Sequence, residues 1–449
     1  MRTPRRGYEM ADAKNSLKEQ YGLKSNPRAG LVSATLGFFV GFAAVSLYGP
    51  TGPYFKEAMA LSGTMLGLLV AIPQLTGSLL RIPFGAWVDK VGGKRPLTTL
   101  LVLSIVGLGG VTLILLPTFP EKLTADLYPL ILVFGALSGC GVATFSVGIP
   151  QTSYWYPQKR QGIALGTYAG LGNMAPGIFT LLIPLVLAAW GVPGAYAAWL
   201  AFLVLGTIVY ILLAHDAYFF QLRANGHDPG TSRDVADRLG QELFPSGKAL
   251  EALKTSAKVG RTWALVVLYF TSFGGFLALT SWFPSYRQIL HGVGAPVAGV
   301  LGGVGFSLLA SVIRVYGGHV RDRFGGEGIA ILSFTLVLIG AMLLVFNLGF
   351  ALSLIGELVI AVGMGTGNAA VFKLVAKYVP EAVGGAAGWV GGLGAFGGFV
   401  VPPLLGLFVD LFGTAGWSRG FTVYIVLAVI CIAVALILKR RFGAQGEPS

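Results

Sequence analysis

Gly77-Ser78-Leu79-Leu80-Arg81-Ile82-Pro83-Phe84-Gly85-Ala86-Trp87-Val88-Asp89-Lys90-Val91-Gly92-Gly93 is an apolar stretch with an arginine inside it and a charged, glycine-rich end. A shift of 233 residues lays a second stretch on it: Ser78 meets Ser311, Arg81 meets Arg314, Gly85 meets Gly318, Asp89 meets Asp322, Lys90 meets Arg323, and Gly92-Gly93 meets Gly325-Gly326. The chain therefore contains a repeat. A charge in the hydrocarbon of a membrane costs roughly 3 kcal/mol or more, so an arginine placed there twice suggests a site for an anion.

The rest of the chain supplies the membrane. Of its 449 residues 54% are hydrophobic and 11% charged, against about a quarter charged in a soluble domain. Twelve apolar runs can be counted, beginning near residues 30, 62, 97, 127, 161, 195, 261, 293, 327, 350, 382 and 419. Each is long enough, at roughly 20 residues, to cross a bilayer as a helix. They are continuous rather than alternating with period two, which excludes an outer-membrane barrel. The first 29 residues are polar and basic, with no apolar run of a cleavable leader.

The one long polar interruption, residues 215–260, carries a turn at Asp228-Pro229-Gly230 and divides the runs six and six. The expected organisation is a tail (1–29), a six-helix bundle (30–214), a linker (215–260), a second bundle (261–438) and a tail (439–449). Two parallel six-helix halves describe a transporter.

The net charge of +13 would suit a nucleic-acid binder if the charges lay on one face. They do not. With both termini cytoplasmic, the outward loops hold only Lys56, Lys122, Arg287 and Arg419, balanced by Glu57, Glu121, Asp126 and Asp410, and nearly all other cations face inward. This is the positive-inside bias of a multi-pass protein of the cytoplasmic membrane, and nucleic acid is not an expected partner. Cys140 and Cys431 fall in apolar runs and read as reduced packing residues, with no metal site or cofactor implied.

The segment from Gly85 through Asp89 to Gly93, with its copy from Gly318 through Asp322, resembles the signature loop of the major facilitator superfamily. An Asp at a helix end can hold a neighbouring helix by its dipole or a basic side chain, locking one face shut until transport breaks the contact. The expected fold is all-α: twelve transmembrane helices in two pseudo-symmetric bundles.

A guanidinium is planar, always charged and forked, so a facing pair suits a small planar oxyanion. Linear counting places both arginines five or six residues from the cytoplasmic end of their runs, where snorkelling to water competes with a central site. The duplication, and Pro83 beside Arg81, favour the shared site. Runs five and eleven carry glycines at four-residue spacing, which permits close helix contact. Asn173 interrupts the first stripe with a polar side chain.

Ala169-Gly170-Leu171-Gly172-Asn173 and Gly391-Gly392-Leu393-Gly394-Ala395-Phe396-Gly397-Gly398 resemble the paired signature motifs of the nitrate/nitrite porter family, the NarK-like branch of that superfamily. The stretches Leu80-Arg81-Ile82-Pro83 and Gly365-Thr366-Gly367-Asn368 extend the resemblance over nearly the whole membrane domain. It implies that Arg81 and Arg314 bind nitrate or nitrite, that Phe145 stacks on the anion, that Tyr269 hydrogen-bonds it and that Asn173 is a polar neighbour. Tyr48 is a weaker match to an aromatic gate. Met174-Ala175-Pro176-Gly177 departs from the pattern, placing a proline directly after the signature.

The electrostatics of two facing arginines favour exchange, because an empty, closing cavity leaves them repelling each other. Net uptake against an inside-negative potential would need a co-ion, most simply protons. The candidates are Glu357 and Lys373, sixteen residues and roughly 24 Å apart along one helix, too far for an ion pair. The histidines lie at loops or run ends, which disfavours a histidine relay, and no Gly-x-x-x-x-Gly-Lys loop indicates an ATP-driven pump or other enzyme. Nitrate/nitrite antiport and nitrate/proton symport both remain compatible, for a monomer surrounded by lipid. A carrier of another small anion such as a short carboxylate, and a non-transporting anion sensor, are the competing readings.

Overall fold

The computed structural model describes residues 13–43, 45–245, 247–314, 326–346 and 349–442. Six apolar spans precede the linker: α1 (Pro27–Met59), α2 (Gly63–Val91), α3 (Lys94–Thr118), α4 (Ala125–Trp155), and the continuous Gln158–Leu213, which Gly191 divides into α5 (158–190) and α6 (192–213). Gly191 has φ +65°, a left-handed value that glycine adopts without a Cβ penalty, so one long apolar run turns back as two helices. The linker holds three short helices, α7 (Tyr218–Ala224), α8 (Pro229–Arg238) and α9 (Ala249–Ala257). Six further spans follow: α10 (Gly260–His291), α11 (Ala295–Arg314), α12 (Gly326–Phe346), α13 (Phe350–Tyr378), α14 (Pro380–Arg419) and α15 (Thr422–Phe442). The Asp228-Pro229-Gly230 turn is the start of α8: the Asp228 carboxylate accepts from the Gly230 and Thr231 amides at 2.9 and 3.1 Å.

The halves meet closely where side chains are small. A Cβ on Gly67 of α2 would strike the backbone of Pro402 and Pro403 in α14, and one on Gly63 the backbone of Gly406. At the end of the bundle away from the linker this contact is locked. The Asp410 carboxylate of α14 caps α2 across the two halves, accepting from the Gly63 amide and, at 2.8 Å, the Thr64 amide. Beside it the Ser285 hydroxyl of α10 donates to the Gly49 carbonyl of α1 at 2.8 Å. The far end is therefore sealed in this conformation.

A side-chain cap contributes about 1 kcal/mol relative to alanine, so Asp410→Ala is expected to shift the population about fivefold away from this closure. Spin labels at the exposed Glu57 and Arg419, in a background without Cys140 and Cys431, should then report longer distances across the far end. An unchanged distance distribution would contradict the latch.

The structure corrects the placement of two charges. Arg287, counted with the outward loops, is fully buried inside α10, and Glu357 of α13, named as a coupling candidate, is its ion-pair partner. Arg287 Nε and Nη2 both donate to Glu357 Oε2, at 2.9 and 2.5 Å, and Nη1 donates to the Ser353 hydroxyl at 3.0 Å. The rings of Tyr286 and Phe350 lie 5.2 Å from the guanidinium carbon, enclosing the pair in aromatic carbon. Lys373 is exposed near the linker end of α13.

Candidate functional site

Pro83 has no amide to give the Leu79 carbonyl, and α2 is interrupted at Leu80 just before Arg81. The Arg81 side chain turns back along the break, Nε donating to the Gly77 carbonyl at 3.0 Å, while Nη1 crosses to the other half and donates to the Gly391 carbonyl of α14 at 3.2 Å. Arg81 is 1% exposed. The helix runs ten residues beyond it to Val91, about 15 Å at 1.5 Å per residue. The helix continues past the apolar run, so Arg81 lies farther from the linker end of α2 than a count of apolar residues gives.

Arg314 comes from α11 and is half-buried. Both guanidiniums sit over the same two rings. Arg81 is 5.0 Å from the centroid of Phe145 and 5.1 Å from that of Phe273; the distances for Arg314 are 5.9 and 5.3 Å. The rings themselves are stacked, with centroids 6.2 Å apart. Phe273 belongs to a π-helical turn, Phe270–Gly274, in α10. Such wide turns recur at functional sites because they re-aim side chains. Here the turn leaves Tyr269 stacked on Phe273 at 5.0 Å, and Tyr269 meets Phe372 edge-on at 4.8 Å.

Both arginines, with Phe145, Phe372, Gly85 and Asp89, line a cavity of about 610 Å³, while Tyr269 and Phe273 pack behind its wall. Asp89 accepts a 2.6 Å hydrogen bond from the Tyr154 phenol, within the same half. Its counterpart residues Gly318 and Asp322 lie outside the described residues. Ala249, Ala252 and Leu253 of α9 line the cavity from the linker side. That helix is held against α14 by Trp389, whose indole donates to the Leu253 carbonyl at 3.0 Å.

The charge balance of the cavity is unusual. Among the described residues no carboxylate pairs with either arginine. Arg81 Nη2 and Arg314 Nη1 are buried with no hydrogen-bond partner, and the Tyr269 hydroxyl, within electrostatic reach of both guanidiniums, also lacks one of good geometry. A buried donor left unpaired costs roughly 1–3 kcal/mol, more when charged. The rings offset part of this through cation–π attraction, about 2 kcal/mol when desolvated. An anion with several acceptor oxygens would satisfy the rest.

The remaining residues singled out from the sequence are dispersed. Asn173 is buried in α5 near the α11 contact; its amide donates to the Ala169 carbonyl at 2.6 Å, its Oδ1 is unpartnered, and its backbone carbonyl accepts from Ser311 across the halves at 3.0 Å. The helix interrupts its hydrogen bonding at Met174, two residues before Pro176. Gly172 lies against the Phe38 ring, Gly394 against Tyr269, Gly397 against the Phe270 carbonyl and Gly398 against Leu277. Gly170 is half-buried. Tyr48 stands apart from the arginines: its phenol bonds Ser138 at 2.9 Å and its ring packs on Tyr196, so in this conformation it belongs to the core of the first half. Glu357 and Lys373 do not line the cavity. The sequence does not single out Phe273; its place four residues after Tyr269, in Tyr269-Phe270-Thr271-Ser272-Phe273, is the one signal it carries.

Two helical halves with an unneutralised binding cavity between them define a secondary transporter. The chain matches the Major Facilitator Superfamily over residues 34–356 and 291–448, and it belongs to that family. It is 30% identical over 415 residues to the probable nitrate/nitrite transporter NarK2 of Mycobacterium tuberculosis, covering 91% of this chain and 94% of that one. To the probable nitrate/nitrite antiporter NarK1 of Thermus thermophilus it is 29% identical over 395 residues, 83% of each chain. The fold is that of the xylose transporter XylE from E. coli in a partially occluded inward open conformation, with a TM-score of 0.69 at 16% identity over 93% of this chain and 99% of that one.

Proposed function

We propose that this chain is an alternating-access carrier of nitrate and nitrite in the cytoplasmic membrane, with both termini and the linker on the cytoplasmic side. The observation that carries the reading is the pair of buried guanidiniums, each with an unpartnered N–H, over one pair of aromatic rings. Nitrate and nitrite are planar, carry one negative charge and offer oxygens all round, so they fit between a flat aromatic surface and two forks. The names of the similar transporters point to the same anions.

Exchange is the mode we favour. Among the described residues the cavity wall holds two arginines and a single carboxylate, Asp89, engaged with Tyr154. Glu357, the other coupling candidate, is neutralised by Arg287 away from the cavity. An empty site would have to close on two facing cations, whereas an occupied one closes on a bridged pair. The signature residues Gly85, Asp89, Gly318 and Asp322 are assigned to the gate at the linker end, and the glycines Gly170, Gly172, Gly394, Gly397 and Gly398 to the sliding contacts. The unit is a monomer, formed by bundles 30–214 and 261–438 joined by linker 215–260.

Proteoliposomes loaded with nitrite, nitrate or buffer test this directly. Labelled nitrate is expected to enter vesicles that contain nitrite or nitrate, and not empty ones. Uptake into empty vesicles driven by a pH gradient would replace exchange by symport. Uptake of acetate at the same rate as nitrate would favour a carrier of short carboxylates, and binding without flux a sensor.

A further inference from the structure

A second hollow, of about 650 Å³, lies at the linker end of the first half, walled by the chain before α1, the ends of α2 and α3 and the chain around α7. Five cations line it: Lys24, Lys90, Lys94, Arg95 and Arg223. The only acid in its wall among the described residues, Asp216, is committed to the backbone, accepting from the Lys94 amide at 2.8 Å. No ion pair joins any of the five cations to a described acid. Among the described residues, the hydrogen bond made by a charged group of the five is that from Arg223 to the His227 carbonyl.

The frame of the hollow is built before any ligand arrives. Gln221 donates to the Lys24 carbonyl at 2.9 Å and to the Asp216 carbonyl at 2.7 Å, and accepts from the Lys24 amide at 2.8 Å. Asp216 sits against Gly92, whose φ of +82° favours glycine and where a Cβ would come within 2.5 Å of the carboxylate. Cations that only mark topology need not converge, since the positive-inside bias counts charges in loops wherever they point. Here they converge on a concave, hydrogen-bonded frame at the helix ends, five cations against the single described acid Asp216. Basic pockets at the cytoplasmic ends of membrane helices suit phosphate headgroups.

We infer that this hollow binds a phosphate-bearing anion, either the headgroup of an anionic phospholipid of the inner leaflet or a soluble phosphate. The inference is independent of what the arginine cavity carries. Lys24 and Arg223 are the residues to change, because both are exposed and stand outside the Gly85–Gly93 loop.

The test uses the full chain, wild type and Lys24→Gln/Arg223→Gln, with Lys159→Gln/Arg160→Gln as a variant of equal charge loss on exposed residues elsewhere. Retention of phosphatidylglycerol against phosphatidylcholine is measured by native mass spectrometry, and inorganic phosphate and diphosphate are titrated in a thermal-shift assay. All three proteins should unfold at the same temperature in neutral lipid, which separates binding from folding. Phosphatidylglycerol retention is expected to fall roughly thirtyfold in the hollow variant, at about 1 kcal/mol for each of two charges, and little in the other. A thermal shift with phosphate or diphosphate in wild type that the hollow variant lacks would assign the soluble source, and selective lipid retention alone the headgroup. Equal loss in both variants, or no selective effect of either probe, would overturn the inference.

Discussion

Arg81→Lys and Arg314→Lys are each expected to weaken nitrate binding by roughly tenfold to a hundredfold, because a lost charge-assisted hydrogen bond costs about 1.5–3 kcal/mol. Lysine keeps the charge and loses the fork. The two variants should differ in kind. At Arg81 the side chain also holds the Gly77 and Gly391 carbonyls, so lysine there disturbs the contact between halves as well as the anion. At Arg314, half-buried, the loss should fall mainly on the ligand. Equilibrium binding to purified protein and counterflow in vesicles read both effects. Wild-type affinity and flux in both variants would remove the arginine pair from the site.

Glu357→Gln should destabilise the protein by about 3–5 kcal/mol, the cost of leaving a buried charge without its partner. Arg287 has no alternative: it is fully buried, and its three donor nitrogens point to Glu357 and Ser353. Replacing both members, Arg287→Met with Glu357→Leu, should recover most of the loss, since apolar pairs of similar volume are often as stable as the ion pair they replace. Thermal unfolding in detergent measures the stability. Flux per folded molecule separates a structural pair from a coupling one. The double variant is expected to exchange anions normally, and loss of a pH-gradient dependence present in the wild type would instead place proton coupling at Glu357.

Much of the architecture was legible in the sequence, because membrane spans are continuous apolar runs and a repeat shows itself by register. The two-half, twelve-helix plan followed from those alone. The sequence points to Arg81, Arg314 and Phe145, and the fold brings all three around one cavity. What escaped depends on contacts across long separations. The Arg287–Glu357 pair joins residues 70 apart, and Arg287 looked like a loop cation because the polar residues Ser285 and Gln288 flank it. The depth of Arg81 escaped because an apolar run ends before its helix does. Phe273 escaped because a π-helical turn has no period that hydrophobic patterning detects. The role of α9 as one wall of the cavity was hidden by its place in a polar linker.

The absence of a carboxylate partner for Arg81 and Arg314 among the described residues has a consequence for membrane voltage. A unit charge crossing the full field exchanges about 2.3 kcal/mol per 100 mV. If one monovalent anion enters for each that leaves, the charge inside the cavity is the same on both strokes, and no net charge crosses per cycle. Such a carrier is electrically silent: its direction follows the nitrate and nitrite gradients alone, and a cell could run it in either sense without drawing on its membrane potential.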